Sequence, residues 1–316
     1  MTMHDGLNAR PHGGTMAVRL RSRVAGTLLT AALAGVAAVA GAQAAPSTDV
    51  WVVPLHQMGN TIRLGEPRNA TQRIGYDNQP SFTADGKSVL YTVVESDTRA
   101  DIWRFALPDG APTQVTKTPE SEYSATPTPD GVSFSVIRVE ADSAQRLWRF
   151  PFSGNGAPSL VLENIKPVGY HAWFGEHGLV LFVLGQPATL QLADERTGTA
   201  EIVASNIGRA LVKVPGRDAV TFVQVVRDSG QWIAELDVRT KAIRRLMRPP
   251  PGADFHAWTP DGALISASGS SVFQWVDGKW GQIADLGRWG VRGISRMSVS
   301  PKGDWIALVA EDQRSP

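Results

Sequence analysis

The chain has 316 residues, 42% hydrophobic and 19% charged, with a formal net charge of +1 at pH 7. Bulk charge gives no reason to expect a nucleic acid or a strongly acidic substrate. The absence of cysteine excludes disulfides, zinc–cysteine sites, thiol catalysis and a lipid-modified N-terminal cysteine, and 31 Gly, 21 Pro and 10 Trp suit an all-β chain with many turns.

In chain order, the first signal is an export leader. Arg19, Arg21 and Arg23 precede a run of apolar or small residues from Val24 to Gly41, and Ala42-Gln43-Ala44 gives a small-x-small cleavage site. The run approaches spanning length, but Ala and Gly dominate it, which favours cleavage near Ala44 over a retained anchor. Residues 1–15 are polar, and a start at Met16 gives a more ordinary leader. Residues 1–44 are therefore expected to be a signal region, and 45–316 a single domain in a periplasmic or secreted protein.

The mature chain opens on a Trp-bearing strand, Asp49-Val50-Trp51-Val52-Val53-Pro54-Leu55, followed by Thr61 to Gly65. A turn signal then recurs, each time ahead of an apolar strand. Its clearest copy is Thr128-Pro129-Asp130-Gly131. Pro sets φ, Asp closes an Asx-turn and Gly accepts positive φ. The other copies are Ala84-Asp85-Gly86, Glu176-His177-Gly178, Pro215-Gly216-Arg217-Asp218, Pro260-Asp261-Gly262 and Pro301-Lys302-Gly303-Asp304. Their marks fall at 85, 130, 177, 218, 261 and 304, a spacing of 41 to 47 residues. Trp103 and Trp148 each follow their turn Asp by 18 residues. Four strands at this period make a β-propeller blade.

The sixth unit ends at Glu311 to Arg314, where a Trp strand is due, and the N-terminus carries an orphan Trp strand. Joining them predicts an all-β, six-bladed β-propeller whose N-terminal strands complete the last blade. Closure removes an edge that would otherwise pair with other chains. Trp51, Trp103, Trp148, Trp173, Trp232, Trp258, Trp275 and Trp305 are read as blade-packing residues. Arg104, Arg149 and the Arg138-Val139-Glu140 charges, opposite in sign on one face at i and i+2, are read by default as solvated strand charges, with a buried pair as the alternative. The basic run Arg239 to Arg248 is split by Leu and Met in strand alternation and is not read as a membrane or nucleic-acid patch.

The Pro-Asp-Gly turn, apolar strand and Trp strand together resemble the repeat of TolB-type propellers, from Asp49 to Arg314. The resemblance implies a periplasmic propeller whose face binds an envelope partner, as TolB binds a peptidoglycan-associated lipoprotein. The α/β domain that precedes the TolB propeller is expected to be missing here. Related propellers precede the hydrolase domain of prolyl-oligopeptidase-like peptidases, and no such domain is expected to follow here.

Catalytic motifs are scarce. There is no Gly-x-Ser-x-Gly, no His-Glu-x-x-His and no EF-hand spacing, and Gly86-Lys87-Ser88 opens a strand where a phosphate loop needs a helix. Ser268-Gly269-Ser270-Ser271 and Asp228-Ser229-Gly230 read as hairpin turns. One constellation remains: Tyr170-His171-Ala172-Trp173 and Phe255-His256-Ala257-Trp258, each just before an innermost strand. Tyr170, His171, Trp173, Phe255, His256 and Trp258 are the candidate ligand-binding residues at the channel mouth, suited to an anion, a metal or a peptide carboxylate. The same segments also fit packing between blades, with imidazole bonded to backbone. His177 is read as a turn residue and His56 as exposed. The expected function is a binding module for an envelope protein, peptide or cell-wall ligand, acting as a monomer without cofactor, bound metal or nucleic acid. The alternative is a channel-based hydrolase or lyase, metal-assisted through His171 and His256.

Overall fold

A computed structural model describes residues 46–96 and 99–314; the expected signal region lies outside them. Every regular element described is a β-strand except one 3-10 turn, Gly287–Trp289. The chain opens with β1 (Thr48–Met58), β2 (Thr61–Leu64) and β3 (Arg68–Asn69). Next come β4 (Tyr76–Phe82), β5 (Ser88–Ser96), β6 (Arg99–Ala106) and β7 (Thr113–Gln114), then β8 (Ser121–Pro127), β9 (Ser133–Val139), β10 (Gln145–Pro151) and β11 (Ser159–Leu160). A further ladder is β12 (Val168–Phe174), β13 (Gly178–Val183), β14 (Thr189–Asp194) and β15 (Thr199–Ser205). It is followed by β16 (Ile207–Lys213), β17 (Ala219–Val226), β18 (Gly230–Asp237) and β19 (Ile243–Met247). The last elements are β20 (His256–Trp258), β21 (Leu264–Ser268), β22 (Ser271–Val276), β23 (Lys279–Asp285), β24 (Arg296–Val299) and β25 (Trp305–Glu311).

Four sheets have four strands each: β8 to β11, β12 to β15, β16 to β19 and β20 to β23, each a meander in chain order. The remaining strands form one nine-stranded sheet, β24-β25-β1-β4-β5-β6-β7 with β2 and β3 on β1. Its two antiparallel halves meet at a single parallel pairing, Thr48 with Tyr76. In one half, β1 runs antiparallel to β25 from Thr48 opposite Glu311 to Pro54 opposite Trp305. The orphan N-terminal strand thus pairs with the last strand of the chain. Side chains bind the same junction: Arg314 Nη2 donates to Asp49 Oδ2 at 2.7 Å and Arg314 Nε to Asp312 Oδ1 at 2.8 Å.

The turn signals work as their chemistry predicts. At the second one, Thr128 Oγ1 and the Val132 amide both donate to Asp130 Oδ1, and the Gly131 amide donates to the Thr128 carbonyl at 3.0 Å. Gly131 has φ +71°, and a Cβ there would meet nothing within 4 Å. The demand for glycine is therefore conformational and not steric.

A lone sheet of this kind cannot bury both its faces, and the core consequently lies between sheets. One cluster joins Leu90 and Ile102 to Ala125, Phe134 and Val136 of the next sheet. Another joins Val180, Phe182 and Leu190 to Val220, Phe222 and Leu236. A third joins Val53, Leu55, Leu308 and Ile306 to Ile265 and Val272. Second strands are buried on both faces for this reason: Val180 and Leu181, with opposite-facing side chains, are both fully buried. The first strands pack side by side: β4 on β8, β12 on β16, β16 on β20, β20 on β24, and β24 on β4.

Two of the charges expected to be solvated are not. Arg149 is half-buried, paired with Glu195 and set over the ring of Trp173. The Arg138 side chain is 12% exposed and pairs with Glu120 and the buried Glu122, over the rings of Trp148 and Phe150. Glu140 pairs with Arg146 instead. The partners of Arg138 come from the neighbouring strand β8 and the residue just before it, which i, i+2 spacing along one strand cannot reveal.

Candidate functional site

The register of the ladders gives equivalent positions in the first strands. Five residues before the first turn residue stand Gln79, Ser124, Tyr170, Ala210, Phe255 and Arg296. The next position holds Pro80, Ala125, His171, Leu211, His256 and Met297. Two residues later come Phe82, Pro127, Trp173, Lys213, Trp258 and Val299.

The two His-x-Trp pairs make the same contact. His171 Nε2 lies 2.6 Å from Ser135 Oγ, and Trp173 Nε1 donates to the same oxygen at 2.8 Å. His256 Nε2 lies 2.8 Å from Thr221 Oγ1, and Trp258 Nε1 donates to it at 2.9 Å. Each hydroxyl donates its own proton to a carbonyl: Ser135 to Thr126 at 3.2 Å, Thr221 to Val212 at 3.3 Å. Nε2 must then be the protonated nitrogen, leaving Nδ1 as a bare acceptor. Neither Nδ1 has a partner among the described residues. Both rings are buried, and burial holds their pKa down, to about 3 for His171 and about 4 for His256, so both are neutral at pH 7.

Each hydroxyl belongs to the second strand of the preceding sheet. The equivalent second-strand positions are Leu90, Ser135, Val180, Thr221, Ile265 and Ala307. A hydroxyl occurs only at the two that face a following His-x-Trp pair; the others face Ala125, Leu211, Met297 and Pro80. These histidines and tryptophans thus tie one sheet to the next.

Tyr170 and Phe255 do something else. Arg296, in β24, is 8% exposed, and its Nη2 donates to Tyr170 Oη at 2.8 Å. Its guanidinium carbon lies 4.9 Å from the Tyr170 ring centre and 4.5 Å from that of Phe255. Two first strands, β12 and β24, and the residue that leads into β20 therefore meet here. Phe182 packs edge-on against Tyr170, with centroids 5.7 Å apart. Burial works to raise the Tyr170 phenol, but the Arg296 and Arg209 charges, with hydrogen bonds from Arg296 and Gln79, outweigh it and hold the phenol below its ordinary value. Burial pushes Tyr76 up to about 12 although both arginines act against it.

The walls beside this cluster are locally strained. Gln79 and Ser124 are non-glycine residues at φ +58° and +54°, each at a register shift of its ladder. Gln79 Oε1 accepts from Thr92 Oγ1 at 2.7 Å and from the Ser124 amide at 2.9 Å, joining adjacent sheets. The cluster can hold an anion, for it presents guanidinium and phenol donors beside aromatic faces. Among the described residues no group of His, Asp and Glu is placed to hold a metal ion. Two open clefts, of about 450 Å3 by Asp261 and Gln274 and about 410 Å3 by Asp194 and Lys241, lie among other residues and contain none of the six candidates.

Of the six candidates, the structure brings Tyr170 and Phe255 together around Arg296 and places His171, Trp173, His256 and Trp258 in sheet-to-sheet contacts. Arg296, Arg209, Tyr76 and Gln79 escaped the sequence reading. The signal for Arg296 and Gln79 was the shared offset from the turn, which marks Tyr170 and Phe255 as well.

No family model matches the chain, and no curated protein matches it. Solved structures do. The putative TolB of Agrobacterium tumefaciens superposes with a TM-score of 0.65 at 16% identity, covering 84% of this chain and 99% of that one. TolB of Acinetobacter baumannii gives 0.55 at 14% identity, over 84% of this chain and 64% of that one. A chain of the nidogen/laminin complex gives 0.61 at 12% identity, over 79% and 97%. With four-stranded meanders packed face to face and these neighbours, the chain has the TolB-like β-propeller fold.

Proposed function

We propose that residues 45–316 form a single six-bladed propeller, with the N-terminal strands completing the last blade. In this reading residues 1–44 are a cleaved export signal and the mature protein works in the periplasm or outside the cell. The β1–β25 ladder and the side-by-side order of the first strands support ring closure. The basic leader and the periplasmic setting of TolB-type propellers support the compartment.

The function that this geometry supports best is binding of an envelope protein, peptide or cell-wall ligand at the mouth of the central channel. The observation that carries it is the meeting of Arg296 in β24, Tyr170 in β12 and Phe255, the residue that leads into β20. Tyr170 and Phe255 contact the ligand, and His171, Trp173, His256 and Trp258 hold them in place through the preceding sheets. The test is cross-linked affinity capture from an envelope extract of the source cell. The expected result is one dominant partner, retained by wild type and lost by Phe255→Ala at unchanged melting temperature. Equal capture by the variant, or none by either protein, refutes the reading.

A further inference from the structure

We propose that the cluster around Arg296 is a carboxylate-binding site, with Arg296 and Arg209 supplying the charge and Tyr170 and Tyr76 flanking it. The inference rests on the channel-mouth reading and adds the chemical class of the group bound.

The first observation is an uncompensated buried charge. Arg296 is nine-tenths buried, and no carboxylate forms an ion pair with it or with the half-buried Arg209 among the described residues. Elsewhere the chain neutralises its buried or half-buried arginines. Arg138 has Glu120 and Glu122, Arg146 has Glu140 and Arg149 has Glu195. Burying a guanidinium without a counter-ion costs free energy. Two ring contacts and one phenol offset part of that cost.

The second observation is the donor geometry. A guanidinium carries five N–H donors in one plane, and among the described residues Arg296 makes a single hydrogen bond, to Tyr170 Oη. The Tyr170 and Phe255 rings contact the group as cation–π partners. The donors left over lie in the guanidinium plane, where the two coplanar oxygens of a carboxylate match them side by side. Arg209, on the strand β16 that packs beside β12, adds a second positive charge whose field reaches the same phenols, Tyr170 and Tyr76. The aromatic surroundings favour a singly charged group on an apolar or neutral stem over a compact dianion, whose hydration they would not replace.

The test is calorimetric titration of the full-length protein at low salt with four probes. These are acetyl-trialanine with a free C-terminal carboxylate, the same peptide as its amide, glucuronate and inorganic phosphate. Binding of the free-carboxylate peptide alone supports the site and assigns a chain end as the source; glucuronate alone supports it and assigns an acidic sugar. The amide is expected not to bind. Arg209→Gln, at a half-exposed position, is expected to weaken binding about tenfold. Arg296→Lys keeps the charge but loses the planar fork, and is expected to weaken it at least as much. Should Arg296→Lys fail to fold, by near-ultraviolet circular dichroism, Arg209→Gln decides. Phosphate binding without either carboxylate, no carboxylate binding up to about 10 mM, or unchanged affinity in Arg209→Gln overturns the proposal. Partner capture without carboxylate binding removes this inference and leaves the binding-module reading standing. Carboxylate binding without capture does the reverse.

Discussion

Thr221→Val tests the account of the two His-x-Trp pairs most directly. The substitution keeps the volume of a fully buried side chain and deletes the hydroxyl that serves His256 and Trp258. The Trp258 indole N–H is left without its acceptor. His256 can move its proton to Nδ1, but that atom has no partner either. A buried donor left unpaired costs about 1–3 kcal/mol, so the loss should be about 2–4 kcal/mol, read as a shift in the urea midpoint at constant slope. The fold contains its own compensated version. Where the second-strand position is Ile265, the facing pair is Met297 and Val299. Thr221→Ile with His256→Met and Trp258→Val copies that junction and should recover most of the loss. The pH dependence gives an independent reading. Unfolded, His256 takes up a proton near pH 6.5; folded, burial delays this to about 4. Between those values the unfolded chain binds more protons, so stability falls as pH drops from about 6.5 towards 4 and is fully present above. One such histidine is responsible for about 3 kcal/mol across that window, and His256→Met should remove its share of the slope. A loss below about 0.5 kcal/mol for Thr221→Val, with an unchanged pH slope in His256→Met, would refute the reasoning.

Three further outcomes are expected. Burial raises the Glu122 carboxyl to about 7 from an ordinary 4.5. The folded chain then holds the extra proton, stability declines as pH rises from about 4.5 to 7, and Glu122→Gln should flatten that decline in a melting-temperature series. Gly131→Ala should cost about 1–2 kcal/mol, because φ +71° is unfavourable for a residue with a Cβ; a neutral substitution would mean the turn relaxes. Arg314→Ala takes the ion-pair partner from the buried carboxylate of Asp49, which keeps its hydrogen bonds from Asn69 and Thr71, and should cost about 1–3 kcal/mol. Hydrogen exchange should then speed up first at the amides of Val50 to Val53; uniform exchange across the chain would count against a local latch.

How much was legible in the sequence depended on whether the information was local. The turn residues fix φ and close hydrogen bonds within a few residues of themselves, so the six marks at 85 to 304 announced the repeat without any knowledge of neighbours. The pairing of the N-terminal strand followed from counting strands against that phase. The role of His171 was not local. Its partner Ser135 lies 36 residues upstream on another sheet, and a serine in an apolar strand carries no mark of what it will face. Arg296 was hidden for a different reason: a lone arginine before Met-Ser-Val reads as a solvated charge until another strand brings Tyr170 to it. Aligning the units on their turns would have put Arg296 in register with Tyr170 and Phe255.

The pairing of β1 with β25 also sets an order of events. On synthesis, Thr48–Met58 appears about 250 residues before Trp305–Glu311, the strand it must hydrogen-bond. Bringing those two segments together costs about 5 kcal/mol of chain entropy, recovered only when the whole ladder forms. Until then β1 is an apolar strand with open backbone groups, the kind of segment that pairs with other chains. The arrangement makes the last strand a check on the whole molecule: a chain truncated before residue 305 leaves its first strand unsatisfied. It should then reveal itself to proteases or aggregate, however well its middle sheets have folded.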